Sequence, residues 1–162
     1  EIDALLNGHD LSKWAGRRDH ALLLTLYNTG ARVAEMTGLQ RSQVQFGTKS
    51  FVQFKGKGRK ERAVPLWPST SRTLQSWFAE LDADARYRAA VAFPNARGAA
   101  LSRDGVAYLL QQAVKRSATL CPSIAHKRVT PHLIRHYPEF RTIQGNRLPG
   151  FIFKESGWKY SA

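Results

Sequence analysis

RRDHALLLTLYNTGARVAEMTGL, residues 17–39, is the stretch on which the fold turns. From Ala21 to Leu26 it is apolar on nearly every face, which predicts a central helix buried all round rather than a surface helix with one wet side. Gly30 stops that helix, since glycine most readily takes the left-handed backbone of a C-cap. A second, short helix follows, carrying Arg32, Val33, Glu35 and Met36 and ending near Gly38.

Downstream, FVQFKGKGRKERAVPL (51–66) holds two β-prone runs separated by Gly-Lys-Gly, a hairpin by turn chemistry. Its tip is cationic: Lys49, Lys55, Lys57, Arg59, Lys60 and Arg62 stand against one anion, Glu61, between residues 49 and 62. After Pro68, Leu74, Trp77, Phe78 and Leu81 fall at helical spacing, with Ser69 or Thr70 as the expected cap. DADARYRAA (82–90) is expected as a polar connection, and Phe93-Pro94 with Gly98 marks another. Ser102 opens a helix striped by Val106, Leu109, Leu110, Ala113 and Val114. A further helix is expected at TPHLIRH (130–136), with Thr130 as cap and Pro131 in the first position. The pattern is α+β, predominantly helical with a small antiparallel sheet, without repeats or low-complexity segments.

At 162 residues and 43% hydrophobic content, the chain fits one domain with a packed core. No apolar run approaches the ~18 residues of a membrane span, and EIDALLNGHD at the start lacks the features of a signal peptide. A single cysteine, Cys121, forbids an internal disulfide and a cysteine metal cage, so a soluble cytoplasmic protein is expected. Lys and Arg number 25 against 12 acidic residues, a formal charge of +13, which points to a polyanionic partner, nucleic acid first.

Three stretches in this order, TGARVAEMTGL (29–39), FKGKGRKERAVPL (54–66) and TPHLIRH (130–136), resemble the catalytic core of the tyrosine recombinases, or phage-type integrases. The resemblance runs from about residue 1 to residue 136. It places Arg32 at the family's first catalytic arginine, Lys57 at the hairpin lysine, and His132 and Arg135 at the histidine and second arginine of HxxR. Glu35 falls at the position of an acidic residue near the first arginine. It implies a domain that breaks and rejoins duplex DNA at specific sites through a 3′-phosphotyrosine link, without metal or cofactor, and that can self-associate on DNA.

The residue types suit that chemistry. Displacement at a phosphodiester builds charge on the non-bridging oxygens, and two guanidiniums, Arg32 and Arg135, can fork onto them. Lys57 on a hairpin tip can protonate the leaving 5′-oxygen, and His132 can take or return the nucleophile's proton. His132 and His136 also stand at the spacing of a helical metal pair. Leu133 rather than glutamate follows His132, and no third ligand is evident, so no metal is assigned.

After His136 the chain departs from the family pattern. Pro138 should stop the helix, and Gly145, Pro149 and Gly150 interrupt any long one afterwards. Trp158, after Gly157, can stand at a family site taken by Trp or His. The family's tyrosine would then fall beyond Ala162, Tyr160 is too close, Tyr137 has no family counterpart, and no nucleophile is assigned. Residues 137–162 are therefore expected as a divergent or truncated tail, which covers apolar surface near Leu133 and Ile134 through Phe151, Ile152 and Phe153 or leaves it to self-association. The family's N-terminal core-binding domain is expected to be absent. Two alternatives stay open: a non-catalytic DNA-binding remnant of a recombinase, and a type IB topoisomerase-like enzyme.

Overall fold

The computed structural model describes residues 2–55, 61–88, 90–126, 129–130, 134, 151–154 and 157–160. Its helices are α1 (Ile2–Asn7), α2 (Trp14–Thr29), α3 (Val33–Thr37), α4 (Pro68–Ala83) and α5 (Arg103–Ser117). Its strands are β1 (Val44–Gln45), β2 (Phe51–Lys55), β3 (Glu61–Pro65), β4 (Phe151–Lys154) and β5 (Gly157–Tyr160). The three antiparallel strands β1-β2-β3 form one sheet, and β4 and β5 form a separate antiparallel pair.

The central helix is α2. Ala21, Leu22, Leu23 and Leu26 are fully enclosed, as an apolar run without a polar face requires. Gly30 ends it at φ 60, and its N–H donates to the Leu26 carbonyl at 2.9 Å. The left-handed φ is what a residue with a Cβ would resist. The helix begins at Trp14, before the expected segment, and the partly buried Trp14 packs against the core: it stacks on Tyr87 at 4.7 Å and leans on Trp77 at 5.3 Å. Tyr87 is thus buried, so DADARYRAA is not simply a polar connection; Ala85–Tyr87 form a 3₁₀ turn that delivers the ring.

The same helix buries Arg18 and Asp19, joined by two bonds of 2.9 and 2.7 Å. Adjacent residues on a helix do not face each other, so the pair forms only because Arg18 folds back over the Trp14 ring at 5.3 Å. Burial raises the Asp19 carboxyl, against the charge and hydrogen bonds of Arg18.

Around α2, the expected elements fall close to their places. The β2–β3 register pairs Phe51 with Pro65 at the base and Lys55 with Glu61 nearest the tip. β1 adds a strand that the hairpin pattern did not announce. The expected cap of α4 by Ser69 or Thr70 is replaced by Trp67, with Pro68 inside the helix start and Thr70 and Ser71 buried. Asn28 of α2 supplies the missing acceptor, its Oδ1 taking the Trp67 N–H at 2.8 Å. Ser102 caps α5 as expected, accepting the Gly105 N–H at 2.9 Å. Among the described residues no helix is long and apolar enough to cross a membrane.

In the C-terminal stretch, residues 151–154 and 157–160 pair as strands, Phe151 opposite Tyr160, and β5 runs close to β3. Ile134 is buried, 2% exposed, so the apolar surface expected around it is covered at that residue. Leu133, Pro138, Gly145, Pro149 and Gly150 lie outside the described residues.

Candidate phosphate-binding site

Arg32 stands immediately before α3 in extended backbone, φ −75 and ψ 152, the geometry of an N-cap rather than of the helix interior. Glu35, three residues on, turns its carboxylate back so that Oε2 accepts the Arg32 backbone N–H at 2.7 Å. This is half of a capping box, satisfying one of the donors a helix start leaves free. The Arg32 guanidinium comes to 3.6 Å from the same carboxylate while its side chain remains 63% exposed.

The principal partner of Glu35 comes from the hairpin. Arg62 of β3 donates from Nη1 at 2.6 Å and from Nη2 at 2.9 Å, one nitrogen to each oxygen. Its guanidinium also lies over the Phe54 ring at 4.8 Å, across the strand pair. Burial raises the Glu35 carboxyl, but the Arg62 hydrogen bonds, the Arg32 N–H and the two positive charges outweigh it, so the group sits below its ordinary value. Glu35 is therefore an anion at neutral pH.

Two guanidiniums share one carboxylate, which leaves net positive charge there. Arg62 is spent on Glu35, whereas the exposed Arg32 can still fork onto an incoming phosphate. Arg62 was legible in the sequence only as one of six hairpin-region cations. The available signal was Glu35 itself, a carboxylate that had to face a cation once half-buried.

Lys57, His132, Arg135 and His136 lie outside the described residues. Of the segment expected as a helix at 130–136, the described part is Thr130 and Ile134, and the Ile134 N–H donates to the Thr130 carbonyl at 3.2 Å, a bond of helical spacing. Of the four expected site residues, Arg32 is thus placed, on a brace built by Glu35 and Arg62.

A helical domain with a small antiparallel sheet, carrying Arg32 before a short helix braced to a β-hairpin, is the architecture of a phage integrase catalytic domain. The model of the Phage integrase family matches residues 1–159, and the chain belongs to that family. It is 45% identical over 136 residues to the y4rC protein of Sinorhizobium fredii, an integrase/recombinase by name, covering 84% of this chain and 40% of that protein. To the tyrosine recombinase XerD of Listeria innocua it is 34% identical over 139 residues, 84% of this chain and 44% of XerD. The chain therefore spans less than half the length of these relatives. The XerH site-specific recombinase, solved in a pre-cleavage complex with its difH substrate, superposes with a TM-score of 0.72 at 21% identity, covering 89% of this chain and 41% of that one.

Proposed function

We propose that this chain is the catalytic-domain portion of a site-specific DNA recombinase, acting on duplex DNA in the cytoplasm in the integration or transposition of a mobile element. One observation carries the reading: Arg32 combines an exposed guanidinium with a backbone tied down by a half-buried carboxylate. A phosphate clamp needs that combination, because a preorganised donor loses little freedom when the phosphate arrives. Arg135 completes the clamp, Lys57 protonates the leaving 5′-oxygen, and His132 handles the proton of the attacking hydroxyl. The domain comprises residues 1–162, with 137–162 as a divergent tail, and self-associates on DNA.

A second reading, DNA binding without cleavage, is favoured by the tail. Tyr160 lies in β5, paired with β4, too close to Trp158 to stand where the resembled pattern places its tyrosine. Affinity for a duplex oligonucleotide, titrated against salt, tests the common ground of both. Binding that weakens steeply with salt is expected, because cations displace counterions from the phosphates they contact. A flat response, or no binding at low ionic strength, removes both.

A further inference from the structure

A cavity of about 460 Å³ opens at the base of the hairpin, where Gly47–Phe51, Pro65 and Leu66 meet Pro68, Ser71 and Arg72 at the start of α4. It lies at the Phe51–Pro65 end of the strand pair, and from Phe51 to Lys55, at the opposite end, the strand climbs about 13 Å at ~3.3 Å per residue. The volume is that of a small-molecule site.

Its chemistry is of two kinds. Phe51, Pro65, Leu66 and Pro68 supply an apolar wall. Lys49 and Arg72 supply positive charge, and among the described residues neither makes an ion pair or hydrogen bond, nor does any carboxylate line the cavity. Between them sits a prebuilt polar link: the Ser71 and Ser50 hydroxyls are 2.9 Å apart, Gln75 donates to Ser71 at 3.2 Å, and Ser71 is 7% exposed. The Ser50 carbonyl in turn accepts the Leu66 N–H at 2.9 Å, so the loop is tied to the strand that floors the cavity. Held in this way, the walls need little rearrangement to receive a ligand.

We propose that this cavity is a second ligand site, distinct from the Arg32 centre, for a small amphipathic organic anion: a carboxylate or phosphate monoester on an aromatic or aliphatic body. The acidic head meets Lys49 and Arg72, and the body lies on Phe51, Pro65 and Leu66. A bare anion forgoes the wall, and an apolar molecule forgoes the cations.

Phenyl phosphate is the probe, followed by amide NMR shifts, with inorganic phosphate and benzyl alcohol as the half-ligands. Saturable shifts at Gly47–Phe51 and Ser71–Arg72, in the low-millimolar range or tighter, are expected. Both half-ligands should bind more weakly, and Lys49→Gln with Arg72→Gln should weaken phenyl phosphate about tenfold. Both side chains are exposed, so the double variant should keep its fold; Lys49→Gln alone, in the loop, provides the same test at smaller amplitude. Equal binding of either half-ligand, or an unchanged double variant, overturns the proposal. So does displacement of the probe by a short duplex, which would make the cavity part of the DNA path.

Discussion

Glu35 accepts both outer nitrogens of Arg62, at 2.6 and 2.9 Å, while taking the backbone N–H of Arg32 at 2.7 Å. One carboxylate thereby fixes the start of α3 against β3, and the exposed guanidinium of Arg32 is positioned by a contact it does not itself dominate. The brace is non-local: 27 residues separate Glu35 from Arg62. The hairpin is thereby tied, one residue pair from its Lys55–Glu61 end, to the backbone that carries Arg32.

Glu35→Gln should therefore destabilise the domain by about 1–3 kcal/mol, since a half-buried Arg62 loses its bidentate ionic partner. Urea unfolding measures this, and an unchanged midpoint would show that the brace is ornamental. The charge also matters with pH: Glu35 is held below its ordinary value, so its contribution is present above that value and disappears as pH falls through the lower folded one.

Arg32 and Arg62 should separate cleanly. Arg32→Ala, at an exposed side chain, is expected to change stability by no more than about 0.5 kcal/mol, yet to weaken duplex binding and lower the salt slope by about one. Arg62→Ala should instead cost about 1–3 kcal/mol by taking from the half-buried Glu35 its principal ionic partner. Equal stability loss in both variants would place Arg32 in the scaffold rather than in the phosphate site.

His9 is 7% exposed, its Nε2 has no partner among the described residues, and its Nδ1 lies 3.4 Å from Arg116. Burial, then the charges of Arg116 and His20, lowers its pKa from 6.5 to about 4. Between these values the unfolded chain holds a proton that the folded chain refuses, so stability falls as pH drops from 6.5 towards 4. The full loss is roughly 3 kcal/mol. His9→Gln should flatten that part of a melting-temperature profile, and an identical acid limb in the variant would exclude His9 as its source.

Gly16 lies inside α2, where alanine ordinarily stabilises a helix by up to about 1 kcal/mol. Here an added Cβ would meet the Asp10 carbonyl oxygen at 2.0 Å, a backbone atom that cannot swing away. Gly16→Ala should reverse the usual sign and destabilise by about 1–3 kcal/mol. A raised melting temperature would mean that the turn before α2 yields.

The helices and hairpin were legible because burial and turn chemistry are local. The run from Ala21 to Leu26 had to be central, and Gly-Lys-Gly between two β-prone runs had to turn. Contacts that join distant segments were not legible. Asn28 capping α4 through Trp67, Tyr87 turning inward onto Trp14, and Arg62 meeting Glu35 each depend on tertiary placement that no window of sequence contains. The motif singled out Arg32 as a candidate, but its position as an N-cap was not legible, because Glu35 rather than Arg32 supplies the cap bond.

The remaining expectation concerns cleavage. Of the five tyrosines, Tyr27 and Tyr87 are buried in the core, Tyr108 is 60% exposed on α5, and Tyr160 lies in β5 opposite Phe151; Tyr137 falls outside the described residues. None stands where the resembled motif places the nucleophile, beyond a Trp or His that follows HxxR by a fixed interval. A nucleophile must hold its oxygen about 3–3.5 Å from phosphorus and in line with the leaving group, and a misplacement of one ångström costs on the order of 100-fold. The chain is therefore expected to bind a nicked suicide duplex without forming a covalent adduct, as read by denaturing gel and mass spectrometry. Arg32→Ala should weaken that binding, which keeps the phosphate site testable without turnover. An adduct mapped to Tyr160 would show instead that β5 delivers the nucleophile, and the reading of the tail as non-catalytic would fall.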